Sequence, residues 1–147
     1  MTALIMERMR SFERWTFKRF PIAFGTAKAW KHGMCGINIA TGKVEPAAAA
    51  SELFIIGVFN ETLDMEDELV DSTIDVNLCK EIEVEWWEND TSIAADDVGK
   101  LCFAADDQTV TLTANACLAG RIWAVDAVRG VAVEKLPFGV PEITTGP

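Results

Sequence analysis

A chain of 147 residues, half of them hydrophobic and 24% charged, has the composition of one globular domain. It is long enough to bury a core without disulfide or metal staples. Its formal charge of −10 argues against whole-domain binding to nucleic acid phosphates, and its densest apolar run, "LFIIGVF", falls far short of the ~20 residues of a membrane span, so neither partner is expected.

The charge is unevenly placed. Residues 1–31 carry seven Lys/Arg against Glu7 and Glu13, a net +5, and the remainder carries six basic against twenty-one acidic residues, a net −15. Such a split describes a basic arm on an acidic body. Within the arm, Arg10, Phe12, Arg14, Trp15, Phe17, Lys18, Arg19 and Phe20 interleave bases with large aromatics. That pattern suits anchors in another protein's grooves, a short amphipathic helix on the core, or a stacking platform for single-stranded nucleic acid. Protein docking is the expectation adopted, over an arm spanning residues 1–26. "MTALIMERMR" has no long apolar stretch after its bases, so no secretory leader is expected.

Strand signals follow. "MCGINIATGKVEP" (34–46) predicts two short strands around a turn at Thr41 and Gly42. Residues 53–60 predict a buried strand, and "LDMEDELVDS" (63–72) a solvated acidic loop without the glycine of a calcium-binding loop. In the next stretch Ile74, Val76, Leu78, Ile82, Val84 and Trp86 are even-numbered, whereas Asp75, Asn77, Glu81, Glu83, Glu85 and Trp87 are odd-numbered. Period two is the mark of a strand with one dry and one wet face, with Lys80 at a bulge or junction. The glutamates then stand in water, where nothing raises their pKa values for acid/base work. Trp87 falls on the wet face as a candidate partner-binding anchor, or, if the strand ends at Trp86, folds back as a lid.

"NDTSIAADDVGK" (89–100) predicts a connecting loop with one short turn. "LCFAADDQTVTLT" (101–113) predicts two strands joined by an Asp-rich turn. Residues 121–135 predict a hairpin turning at 126–130. Proline and glycine then mark a loose C-terminal extension, 137–147. The expected fold is all-β: a compact barrel or sandwich of short antiparallel strands over residues 27–136, with an extended basic N-terminal arm and a loose tail.

Cys35, Cys79, Cys102 and Cys117 lack the paired spacing of zinc ligands, and His32 is the only histidine. Buried, unpaired thiols are expected. No G-x-S-x-G or phosphate-binding glycine loop occurs. The pairs Asp96/Asp97 and Asp106/Asp107 could meet around a divalent cation, but turn and cap roles account for them. No catalytic residue, cofactor or metal is expected.

Taken together, "MTAL", "AKAWKHGMCGINIATGKVEPAAAA", "IIGVFNETLD", "VGKLCFAADDQTVTL" and "AGRIWAVDAVRGVAVEKL" resemble small capsid cement or decoration proteins of tailed bacteriophages. The resemblance covers residues 1–4 and about 27–136. It implies a compact, non-catalytic β-domain on the outer face of an icosahedral head, made in the host cytoplasm, contacting the major capsid protein and other copies of itself. The aromatic and basic run from 6 to 20, and the tail beyond Leu136, depart from that pattern. Two other function classes compete: a carbohydrate-binding β-module with Trp87 and Trp123 as its stacking platform, and a glycosidase using a pair from Glu81, Glu85, Asp96 or Asp107.

Overall fold

The computed structural model describes residues 17–49, 52–78 and 84–135. Of the predicted anchors, Arg10, Phe12, Arg14 and Trp15 lie outside the described residues, as do Glu81, Glu83, Cys79 and the extension from 137. Ten strands are described: β1 (Phe17–Ile22), β2 (Met34–Asn38), β3 (Lys43–Pro46), β4 (Leu53–Phe59), β5 (Ser72–Leu78), β6 (Val84–Asn89), β7 (Leu101–Ala104), β8 (Thr109–Thr111), β9 (Cys117–Asp126) and β10 (Gly130–Glu134). One 3₁₀ turn, Ala95–Asp97, precedes β7. Among the described residues no helix is long and apolar enough to cross a membrane. The protein is all-β, as its alternating patterns predict.

The C-terminal five strands close a barrel in the order β9–β10–β6–β8–β7 and back to β9. A five-stranded ring is narrower than the eight-stranded barrels whose interior just holds side chains. Cys102, Ala104, Val110, Cys117, Ala119 and Val131 are all buried there. The other five strands run β1–β5–β4–β2–β3, antiparallel throughout. They enclose a second core of larger residues, including Ile22, Phe59, Met65 and Ile74.

β4 is the wall between the two cores. Leu53 and Ile55 point into the barrel core, and Ile56 and Phe59 into the other. Burial on both faces is why "LFIIGVF" shows no polar alternation. Ile56 is also an extra residue, since Cys35 faces Gly57 and Gly36 faces Ile55. That bulge flips the parity of the strand. β4 meets β9 in parallel, Leu53 opposite Cys117 and Phe54 opposite Leu118. A second parallel pair, β6 with β8, means that the strands are not all antiparallel as expected.

Two expectations need correction. The expected ribbon over 74–87 falls on two strands with different neighbours: β5 pairs with β1 and β4, whereas β6 pairs with β10 and β8. Alternation cannot be carried across two strands with different partners, and the parity reverses. Trp87 faces Val131 and packs against the barrel core, Glu85 faces buried Val133 and is itself half-buried, and Trp86 turns outward. Likewise, residues 17–22 of the predicted arm form β1. Pro21, which cannot donate to a ladder, is tolerated because β1 ends the strand order. Phe20 faces Ile74 and packs against the second core.

Candidate functional site: a tryptophan groove

Three of the chain's five tryptophans gather at one surface groove of about 290 Å³. Four separate segments build it. Trp30 and His32 precede β2, Trp86 and Trp87 lie in β6, Gln108 sits in the β7–β8 turn, and Arg129 in the β9–β10 turn.

Backbone bonds fix each segment. His32 adopts a left-handed φ of 74°, uncommon for a residue with a side chain. It is held there because its N–H donates to the Phe59 carbonyl (2.8 Å) while Phe59 donates back to Gly33 (3.0 Å). Lys31 N–H donates to Thr62 Oγ1 at 3.0 Å. Position 33 is tight: a Cβ there would stand 3.0 Å from both Asp107 Oδ2 and the Trp30 carbonyl, so a neighbour would have to give way. On the opposite wall, Glu88 N–H donates to the Gln108 carbonyl at 3.0 Å.

Cations cover two of the indoles. Lys28 Nζ stands 3.9 Å from the Trp30 ring centre and Arg129 Cζ 4.1 Å from that of Trp86. At exposed sites such contacts contribute about 0.5–1 kcal/mol each. Arg129 is aimed by Asp126, whose carboxylate accepts from its backbone N–H (2.9 Å) and its Nε (3.3 Å). Those bonds hold the Asp126 carboxyl below the usual range, the backbone N–H being the larger cause. Asp107, behind Gly33, is shifted upward by its own burial and then by the charge of Asp106.

Of the predicted anchors that are described, Trp87 lines this groove, while Phe17, Lys18, Arg19 and Phe20 lie in β1 and do not. Arg19 is engaged within the domain: it donates to Thr73 Oγ1 (3.2 Å) and to the Thr73 carbonyl (3.1 Å), and pairs with Glu61 at 3.3 Å. Phe17 and Lys18 are exposed. Trp123, 61% exposed, does not line the groove either. It is an extra residue of β9, because Ala132 faces Ala124 and Val133 faces Ile122. Trp30, Trp86 and Arg129 were not expected from sequence. A tryptophan beside lysine at 30–31 was the available signal, but only the fold brings residue 30 to residues 86 and 129.

One aspartate of each pair serves a turn. Asp97 accepts from Ala94 N–H (2.8 Å) and Lys100 Nζ (2.8 Å), and Asp106 accepts from the N–H groups of Gln108 and Thr109, both 2.8 Å. Among the described residues no three His, Cys, Asp or Glu side chains converge as metal ligands would. A second, apolar cleft of about 580 Å³ runs along the β4–β9 seam between Leu53, Phe54, Phe103 and Leu118. Its rim includes Glu52 and Lys135, next to residues outside the described set. Comparison with protein-family models, curated proteins and solved structures finds no match for this chain.

Proposed function

We propose that this chain is a structural virion protein that docks on the outer surface of a phage capsid and stabilises it, with the tryptophan groove as a protein-docking site. One observation carries the reading: Trp30, Trp86 and Trp87 share a surface groove with Arg129. Tryptophan and arginine dominate the few residues that supply most binding energy at protein interfaces. The likeness to phage decoration proteins, which stands on the sequence passages quoted above, supplies the capsid as partner. Repetition on a symmetric shell would multiply a modest contact into strong retention.

Co-sedimentation with empty heads tests it. Wild type pellets with the heads, and a Trp30→Ala/Trp86→Ala variant stays in the supernatant. Equal pelleting of the two defeats the reading. The N-terminal contribution is tested by removing residues 1–16, a cut that leaves β1 whole.

A carbohydrate-binding module is the second reading, because indoles at a groove also suit stacking on sugar rings. Lys28 and Arg129 already cover a face of Trp30 and of Trp86, so a sugar on those faces would have to displace a cation. A carboxylate-bearing protein surface would instead gain a partner for each. Binding on a glycan array that vanishes in Trp30→Ala/Trp86→Ala would favour the sugar.

A further inference from the structure

The loop between β4 and β5 buries Met65 but turns Leu69 and Val70 outward. Leu69 is 87% and Val70 70% exposed. Exposed Phe24 lies beside them, since its N–H donates to Asp71 Oδ1 at 3.1 Å. The loop is pinned at both ends. Leu63 and Ala29 exchange two backbone bonds of 2.9 Å, and buried Met65 accepts from Gly25 N–H at 2.7 Å. At the far end Asp71 pairs with Lys43 at 2.8 Å. Around the tip stand Glu66, Asp67 and Glu68, all exposed and in no ion pair among the described residues. The result is a preformed apolar knob with an acidic rim.

The tryptophan groove is its complement: an indole floor with Lys28, Lys31 and Arg129 at its edge. Lys28 and Lys31 are in no ion pair among the described residues. The acids nearby are Glu88 on the rim, Asp107 behind Gly33, and Asp126, which already holds Arg129. We propose that the Leu69–Val70 knob of one copy seats in the tryptophan groove of a second copy, its carboxylates meeting Lys28 and Lys31. The proposal rests on the groove being a protein-docking site, and names its partner. Both features are anchored on one segment, residues 24–33: Phe24 borders the knob, Ala29 pairs with Leu63 at its root, and Trp30 lines the groove. A two-fold axis beside that segment lets each copy give a knob and receive one. Because the knob is already held in place, little ordering entropy opposes its seating.

Sedimentation equilibrium of the full chain tests the pairing. Wild type associates, and a Leu69→Ser/Val70→Ser variant, altered only at exposed positions and checked for an unchanged melt, associates at least about tenfold more weakly. Added salt weakens the wild-type pair, as screening of exposed charges requires. In a Cys79→Ser background, mixed Val70→Cys and Gln108→Cys chains form a heterodisulfide on mild oxidation in preference to either homodisulfide. A wild type that stays monomeric at its highest soluble concentration overturns the proposal, as it would if capsid protein were the groove's occupant. Pairing through another face, seen as undiminished association of Leu69→Ser/Val70→Ser or as no heterodisulfide, overturns it too. The two readings stay distinguishable: loss of head binding in Trp30→Ala/Trp86→Ala but not in Leu69→Ser/Val70→Ser would place capsid protein in the groove, whereas equal loss in both is expected where pairing of copies doubles the contacts each makes with the head.

Discussion

Gly99 and Gly130 share almost the same left-handed backbone, with φ of +94° and +97°, but a methyl group would meet nothing within 4 Å at the first and the Trp87 carbonyl oxygen at 2.2 Å at the second. Alanine at the two positions therefore separates conformational strain from close approach. Gly99→Ala bears the left-handed cost alone, about 1–2 kcal/mol. Gly130→Ala adds a clash that no rotamer relieves, because the obstacle is backbone. β10 must step away from β6 at Val131 and Trp87, which face each other in the ladder. Leaving one buried backbone group unpaired costs about 1–3 kcal/mol more. The total is roughly 2–5 kcal/mol for Gly130→Ala. At about 2–4 °C per kcal/mol for a domain of this size, melting followed by circular dichroism should fall by about 4 °C in Gly99→Ala and about 10 °C in Gly130→Ala. Equal losses would refute the claim that the approach of β10 to the Trp87 carbonyl is what demands glycine at 130.

Two further outcomes follow from titratable groups. The Asp97 carboxyl is held below its usual range, first by the hydrogen bond from Lys100 and then by that from Ala94 N–H. A folded-state value below the unfolded one stabilises the protein above the unfolded pKa, about 3.9, and that contribution is lost as pH falls through the folded value. The melting gap between wild type and Asp97→Asn should accordingly be present at pH 7 and close below about pH 4; a gap independent of pH would show that the charge plays no part. Burial pushes the thiols of Cys102 and Cys117 up to about 12 and about 11, and that of Cys35 further still. In a Cys79→Ser background at pH 8, a thiol reagent should label none of the three in the native protein and all three in guanidinium, with mass spectrometry locating any exception.

What the sequence revealed and what it hid divide along the difference between local and long-range pairing. The hairpins β2–β3, β7–β8 and β9–β10 are each closed by a turn that glycine or aspartate marks, so they were legible with nearly correct ends. Asn38 and Asp106 serve those turns directly, each accepting from N–H groups two and three residues on. The reading failed where parity changes without a local signal. Trp86 and Trp87 exchanged faces because the period counted from Ile74 had crossed from β5 into β6. Trp123, by contrast, is exposed on the face that alternation with buried Ile122 assigns it, although the bulge at that residue is not written in its neighbours. β1 was concealed by its own composition. "FKRFPI" looks like an arm, yet Ile22 is fully buried against Ile74 and Val76 in one core.

The groove depends on both cores at once. Trp30 and His32 are carried by the turn that leads into β2, a strand of the five-stranded half, whereas Trp86, Gln108 and Arg129 belong to the barrel. Met34 locks the two parts together. Its N–H donates to the Asp107 carbonyl at 2.8 Å, and its side chain is buried in the barrel core although the next residue, Cys35, is buried in the other. One strand with period two thus contributes to both interiors, as β4 does through Leu53 and Ile56. The walls of the groove are therefore fixed relative to each other by core packing rather than by surface contacts. Core packing is close to crystalline in density and resists small displacement. A docking site made this way is preorganised: its indoles need not be gathered when a partner arrives, and the entropy of bringing residue 30 to residues 86 and 129 has been met by folding.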